Sequence, residues 1–449
     1  MVEDEIEQLR QDISVALDAE DSVELSKILS GISVAETALL LDSLPSQQRD
    51  SIWPLIEPAD MGAVLLETLD DVSDAKLKQL EPEEIAAIVE TMPDVDDQAD
   101  IILALPTDKL VKTLHTLDAH KREKLESVLS YSEDTAGGLM NIDQVTIRAD
   151  VSLDVVLRYL RIRGELPDLT DQLFVTDRHD HYLGALYLGD LLTNDPEEQV
   201  SNLMRTDIDA MHVHMSDAEV AREFENSDLI SAPVVDEEHR LIGRITVDDV
   251  VDVIRDEGDH SIMGMAGLSE EEDMFSPVMV TSRRRGIWLG INLLTAFLAA
   301  YVIGFFEDIL DQVVALAILI TIVPSMGGIA GSQTLTIAIR GLALGQLGSS
   351  NYRSLVKKEI SVGLLNGLIW ALVVASLSIV WFQNFNIGAV IAFALIVNLL
   401  AGALAGALIP VILRQIGVDP AIAGGVVLTT VTDVVGIIAF LGLATLVMG

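Results

Sequence analysis

Apolar positions fall into two regimes along the 449 residues. From about residue 287 they form five long runs, near 287–306, 313–339, 360–382, 388–413 and 421–448. Each is close to the roughly 20 apolar residues that a helix needs to cross a bilayer, so the pattern predicts five membrane spans. From residue 1 to about 136 the pattern is different. Apolar residues return at intervals of three and four, as in Ile85-Ala86-Ala87-Ile88-Val89 and Ile101-Ile102-Leu103-Ala104-Leu105, the period of a helix with one buried face. Breaks at Leu44-Pro45, Glu81-Pro82, Met92-Pro93 and Leu105-Pro106 cut this stretch into short helices, which predicts an all-α superhelical N-terminal domain.

Between these regimes two segments repeat. Asp177, Gly184 and Asp190 recur as Asp236, Gly243 and Asp249, and each copy reads as strand, turn, strand and a helix opened by an acid. Leu139-Met140 and Leu203-Met204 precede the two copies. After the second copy, Asp249-Val250-Val251-Asp252-Val253-Ile254-Arg255 begins an amphipathic helix that leads toward the first apolar run. A linker helix passing directly into a membrane domain is a natural plug or gate lever.

Polar residues inside the runs are few and therefore informative. Asp433 lies midway along the fifth run, in Thr429-Thr430-Val431-Thr432-Asp433. A carboxylate at bilayer depth costs at least about 2.5–3.5 kcal/mol, and no Lys or Arg lies at similar depth to pair with it. It should face a cation pathway. On a helix Gly425, Thr429 and Asp433 share one face, offering an opening, an oxygen and a charge in line. Pro324-Ser325-Met326-Gly327-Gly328-Ile329-Ala330-Gly331 in the second run reads either as irregular backbone lining a cavity or as close packing through small residues. Ala401 to Ala407 reads as small-residue packing, with a subunit interface one place for it, and Asn366 and Asn398 as interhelical hydrogen-bond partners.

Charge separates the same two halves. The chain has 70 Asp and Glu against 28 Lys and Arg, a formal net charge of −42, yet half its residues are hydrophobic. Residues 286–449 hold five basic and six acidic residues, so almost the whole excess lies before them. Such a surface repels nucleic-acid phosphates, and the lack of cysteine excludes disulfides, thiol catalysis and cysteine-based metal sites. No basic segment followed by a short apolar run marks a signal peptide at the start. Nor is there a P-loop, a nucleophile elbow or an HExxH motif, so no enzyme is expected. Arg283, Arg284 and Arg285 precede the first run; Arg340, Arg353, Lys357 and Lys358 separate the second from the third; Arg414 follows the fourth. With five spans all these cations fall on one side, which places the N-terminal domains in the cytoplasm and the C-terminus outside a multi-pass cell membrane protein.

The tandem unit over about 139–255 resembles a pair of cystathionine-β-synthase-type (CBS) modules, an α/β fold. In that family a Thr/Ser-x-x-Asp near the last helix often holds a nucleotide ribose, and Thr246-Val247-Asp248-Asp249 fits it in the second copy; Thr246 serves equally as a helix N-cap. An adenine nucleotide is thus one expected ligand. His179 with His181, and His212 with His214, have the alternate spacing of a strand-borne metal pair or of solvated surface histidines.

The order of helical array, CBS pair, linker helix and five spans resembles the MgtE family of magnesium transporters, over essentially the whole chain. The matching stretches are Ser132-Glu133-Asp134-Thr135-Ala136-Gly137-Gly138-Leu139-Met140, Arg283-Arg284-Arg285, and Asp419-Pro420-Ala421 leading to Thr432-Asp433-Val434-Val435-Gly436. The resemblance implies a homodimer in the lipid bilayer with its pore on the two-fold axis, Asp433 as pore Mg²⁺ ligand, and closure by Mg²⁺ bound to the cytosolic half. It implies domains at 1–136, 137–201, 202–255, a linker region at 249–282, and 283–449. Candidate sensor acids are Asp217, Glu219, Asp228, Asp249, Asp252, Asp256 and Glu257. The chain departs from the family where Ile329 and Gly425 replace polar Asn, and where His260 and Ser261 replace further acids. Two other readings stay open: a coupled exchanger or a transporter of another divalent ion such as Co²⁺ or Mn²⁺, and a membrane-anchored ion or nucleotide sensor that transports nothing. Much of the acidic excess also has the look of adaptation to high salt, with 19 Arg against nine Lys.

Overall fold

The structure, a computed structural model, describes residues 2–19, 21–269, 272–348 and 350–449. The chain divides into two compact units: residues 1–256 with 271–276, and residues 257–270 with 277–449.

The first unit opens with ten α-helices, from Val2–Asp18 to Ala119–Val128. The proline breaks fall at their ends for a physical reason. Pro82 stands at the first helical position, where its missing N–H costs nothing, and Pro45 and Pro106 immediately precede helices. Ser33 and Glu36 close a capping box over the helix Val34–Asp42. The scarce cations serve the opposite ends. Lys109 Nζ reaches the carbonyls of Leu77, Lys78 and Leu80, at 2.6–3.3 Å, and Lys121 Nζ that of Glu90 at 2.9 Å, satisfying carbonyls that a helix C-terminus leaves free. Ile13, Ile52, Leu77, Ile85, Ile102 and Leu125 anchor one shared apolar core.

The 59-residue repeat becomes two three-stranded sheets of the same design. In the first, β1 (Thr146–Arg148) pairs parallel with β2 (Gln172–Thr176), which pairs antiparallel with β3 (Tyr182–Tyr187). In the second, β4 (Met211–His212), β5 (Ser231–Val235) and β6 (Leu241–Thr246) do the same. Gly184 faces Val175 and Gly243 faces Val234, and both sheets shift register one residue later. The helix Val247–Met265 follows β6 directly.

A short segment beyond that helix also belongs to the first unit. Arg49 forms a bidentate ion pair with Asp273, both N···O distances 2.8 Å, and its Nε donates to the Leu41 carbonyl at 2.7 Å. Both residues are buried. The N-terminal helical domain therefore grips the chain four residues before the first membrane helix begins at Pro277–Val278.

The second unit contains five helices long and apolar enough to span a membrane: Val278–Gly304, Val314–Ala343, Tyr352–Phe382, Phe385–Gln415 and Pro420–Met448. They extend one or two turns beyond several apolar runs, so Arg283–Arg285 ride on the first helix and Arg353, Lys357 and Lys358 on the third. No residue of the first helix is fully buried; Ala299, Val302 and Ile303 pack partly against a core shared with the fifth span, and most of the remaining apolar surface is left for lipid or a second copy. The second span breaks at Ile320–Thr321 and resumes as Ile322–Ala343, with Pro324 in its first turn. Its glycines serve packing. A methyl group on Gly331 would meet Leu428 and the Gly402 carbonyl, and one on Gly406 would strike the Gly331 carbonyl. The small-residue stretch Ala401–Ala407 thus packs, through Gly402 and Gly406, against the second span of its own chain. Asn366, expected between helices, is exposed and hydrogen-bonds no other described residue across a helix pair.

Candidate functional site

Asp433 stands in the middle of the fifth membrane helix. That helix shows two parallel stripes, each at a spacing of four. Leu428, Thr432 and Gly436 are buried against the second and fourth spans: Leu428 against Gly331, Thr432 opposite Gly328, and Gly436 against Asn398. One residue further round, Gly425, Thr429 and Asp433 form the second stripe, which their chain covers only in part: Thr429 is exposed, Gly425 and Asp433 half-buried. A methyl group at Gly425 would meet nothing within 4 Å. No described side chain forms an ion pair with Asp433. The Thr429 hydroxyl is spent on the Gly425 carbonyl at 2.9 Å, so on this stripe the carboxylate is the free group.

The fourth span contributes to the same region through a buried amide. Asn398 Nδ2 donates to the Val323 carbonyl at 2.7 Å, which bears out its reading as an interhelical partner. Thr334 in the second span donates to the buried carboxylate of Glu359 in the third at 3.0 Å.

The first unit collects acids in a way that single segments do not announce. The helix Val95–Leu103 carries Asp96, Asp97 and Asp100, with Asp94 as its N-cap residue. Asp248, Asp249 and Asp252 come from the start of the linker helix, close enough for the two sets of charges to act on each other. Burial, reinforced by Asp249, Asp97 and Asp94, pushes the Asp96 carboxyl up to about 9. Burial also raises Asp97 to about 6, with Asp94, Asp248, Asp252 and Glu67 adding to it. Asp100 rises to about 7 through burial and then Asp97, Glu133 and Asp70. Asp249 rises to about 7 through burial and then Asp248. The counterweight is slight. Asn141 Nδ2 donates to Asp94 at 2.7 Å and Asp96 at 3.1 Å, and Arg255 contacts Asp252 at 3.3 Å. A crowd of carboxylates held together by packing, with few cations among them, is a place where a divalent ion lowers the energy. Among the described residues no three acids or histidines already stand in ligand geometry around one point.

The expected sensor acids thus separate. Asp249 and Asp252 belong to this ridge. Asp256 lies a turn on, 3.6 Å from Arg255. Glu257 belongs to the second unit. Asp217 sits at the first turn of another helix beside Asp134, and burial raises its carboxyl. Glu219 is beside the Ser216 cap, and Asp228 ends that helix in a left-handed conformation. Asp94, Asp96, Asp97, Asp100 and Asp248 were not singled out from the sequence. For Asp96 alone the structure shows what marks it: with Gln98 it interrupts the otherwise apolar buried face of the helix Val95–Leu103.

Thr246 and Asp249, the candidate ribose contacts, hydrogen-bond each other. The Thr246 hydroxyl and N–H reach Asp249 Oδ2 at 3.2 and 3.4 Å, an N-cap arrangement for the linker helix. His181 Nδ1 is engaged with Asp177 at 2.9 Å, and His212 and His214 face each other with ring centres 5.6 Å apart. Neither pair gains a third ligand among the described residues. His260, which stands where further acids were expected, meets Asp419 directly, Nε2 to Oδ2 at 2.6 Å. Asp419 also caps the fifth membrane helix through the Ala421 N–H.

Comparison with known proteins covers both units. Family models match at residues 320–443 (divalent cation transporter), 32–134 (MgtE intracellular N domain) and 200–256 (CBS domain). The magnesium transporter MgtE of Thermus thermophilus is 30% identical over 448 residues, covering 98% of this chain and 99% of that one. That of Bacillus subtilis is 31% identical over 78% of each chain. A crystal structure of the cytosolic domain of the Mg²⁺ channel MgtE in complex with ATP is 31% identical, with a TM-score of 0.50, and covers 54% of this chain and 99% of that one.

Proposed function

The chain belongs to the MgtE family of magnesium transporters, and from that premise we propose that it conducts Mg²⁺ into the cytoplasm, down its electrochemical gradient, and closes when Mg²⁺ fills the acidic ridge of its cytosolic half. The observation that carries this reading is Asp433: an uncompensated carboxylate on a partly open stripe of a membrane helix. Two copies around a two-fold axis would present two such carboxylates, enough to balance one divalent ion. Mg²⁺ sheds its water reluctantly and is held through few carboxylates, which suits a stripe whose only other oxygens are backbone carbonyls and an occupied hydroxyl. An inside-negative potential of about 100 mV adds about 4.6 kcal/mol to inward movement of a divalent ion, at about 2.3 per charge, so no coupled hydrolysis is needed.

The ridge supplies the closing signal. With Mg²⁺ scarce, its carboxylates repel one another and draw up protons. Mg²⁺ among them replaces both the repulsion and the protons, and stabilises the packing of the helix Val95–Leu103 against the start of the linker helix. Mg²⁺ shifts the gate only to the extent that it binds this packed form better than the loosened one. A nucleotide at the CBS pair would have to draw the Thr246 hydroxyl away from Asp248 and Asp249, both on the linker helix, which gives it a direct influence on that helix. The test is Mg²⁺ uptake into liposomes at varied Mg²⁺ on the cytosolic side. Uptake should fall as that Mg²⁺ rises, and Asp433→Ala should abolish it while leaving assembly intact; undiminished uptake by Asp433→Ala sinks the pore assignment.

A further inference from the structure

Asn398 is placed where an apolar residue would serve stability better. It is completely buried, its Nδ2 is committed to Val323, and its Oδ1 has no hydrogen-bond partner among the described residues. Buried polar atoms are nearly always paired, and local rules tend to be broken where function requires it. The room for this side chain is made by two glycines. A methyl group on Gly327 in the second span would collide with the Asn398 amide, and one on Gly436 in the fifth would lie 2.8 Å from Nδ2 and 3.1 Å from Cγ. At Gly436 Asn398 supplies all three of the nearest atoms. One amide from the fourth span is therefore wedged between the second and the fifth, hydrogen-bonded to one and in contact with the other.

Gly436 lies on the packed stripe with Leu428 and Thr432, and Asp433 lies on the stripe beside it. A helix is a rigid cylinder, so whatever fixes the rotation of the packed stripe fixes the direction of the open one. We propose that Asn398 is a positioning residue for ion passage: wedged between Gly327 and Gly436 and tied to the Val323 carbonyl, it sets the spacing and rotation of the fifth helix, and so where the Asp433 carboxylate stands. The spacing of two such carboxylates decides which ion, with how much of its water, fits between them. Asn398 therefore acts on ion preference as well as on rate, without touching the ion. This inference rests on the assignment of Asp433 to the pathway.

The test uses the full chain in liposomes, with Mg²⁺ and Mn²⁺ influx measured separately. Asn398→Leu keeps the volume and removes the amide; Asn398→Ala removes both. Both variants should assemble as the native chain does, lose about tenfold or more in Mg²⁺ influx, and change the ratio of Mg²⁺ to Mn²⁺ influx, which a general loss of folded protein would not do. Gly436→Ala should cost a similar factor in the native background and little further in the Asn398→Ala background, because the methyl group then has room. Native rates and ion ratio in Asn398→Leu, or an equal cost of Gly436→Ala in both backgrounds, overturn the proposal. Asp433→Asn, measured alongside, separates the two failures: if it abolishes influx while the Asn398 variants are silent, only the role of Asn398 falls. If Asp433→Asn conducts normally, the pathway assignment falls and this inference with it.

Discussion

Two regions of the protein spend carboxylates in opposite ways. The membrane unit carries one acid midway along its fifth span, on a stripe that its own chain leaves partly open. The first unit gathers seven into one ridge, with Asp96 buried and Asp94, Asp97 and Asp249 half-buried. Isolation makes Asp433 costly enough that its presence needs a reason, and the reason has to come from outside the chain, as a cation or a second copy. Crowding makes each ridge acid individually unremarkable, and the cost arises only from what the fold brings beside it. A single misplaced charge can be read as function from sequence, whereas a collective one has to be assembled first.

The largest expected effect tests the isolated acid. Asp433→Asn should reduce Mg²⁺ influx about 100-fold or more, since it removes the charge at a position with no substitute, and flux in liposomes measures it. Next comes the grip on the linker segment. Arg49→Ala strands Asp273 as a buried unpaired charge, at a cost of about 3–5 kcal/mol. Chymotrypsin should then cut sooner beside Phe275, which is already 41% exposed; unchanged cleavage would show that Asp273 is held by other means.

The ridge should respond to pH and Mg²⁺ together. Its acids titrate above their usual range when packed, at about 6 for Asp97, about 7 for Asp100 and Asp249, and about 9 for Asp96. A raised folded value means that the packed form binds protons more readily than the unfolded one, so this contribution to stability is full below the ordinary carboxylate range, near 4, and is lost as pH rises through about 6 to 9. In chelator, protection of the full-length protein from protease should therefore weaken as pH rises. Added Mg²⁺ should restore it and release protons, which calorimetry in buffers of different ionisation enthalpy detects. Protection that is flat with pH would dissolve the distinction between ridge and ordinary surface acids. Substituting Asp96, Asp97 and Asp249 together by Asn should raise the Mg²⁺ concentration needed for closure about tenfold, read as flux inhibition. The smallest effect is expected for Thr429→Val, about twofold or less, because that hydroxyl already serves the Gly425 carbonyl.

Much of the fold was legible in the sequence because its signals are local. Five apolar runs, four proline breaks and a repeat of 59 residues lie within short windows, and each has one dominant structural consequence. The site was legible only in part. Asp433 stood out against an apolar background, and Asp249 and Asp252 through their place on the linker helix. Asp96 and Asp97 did not, because in a chain with 70 acids a further pair carries no weight until its burial is known. The glycines of the second span pointed to close packing or to an irregular backbone, and the structure separates these: the break lies at Ile320–Thr321, ahead of Pro324, and the glycines make room for neighbours.

The sequence alone thus determined the class of the molecule, its five long apolar helices and the acid that stands midway along the fifth. These follow from solvation, which acts residue by residue along the chain. Tertiary structure decided which acids meet, that Arg49 holds Asp273, that His260 meets Asp419, and that Asn398 stands between Gly327 and Gly436. Those depend on contacts between residues as many as 224 positions apart, whose electrostatic and steric energies exist only once the chain has folded.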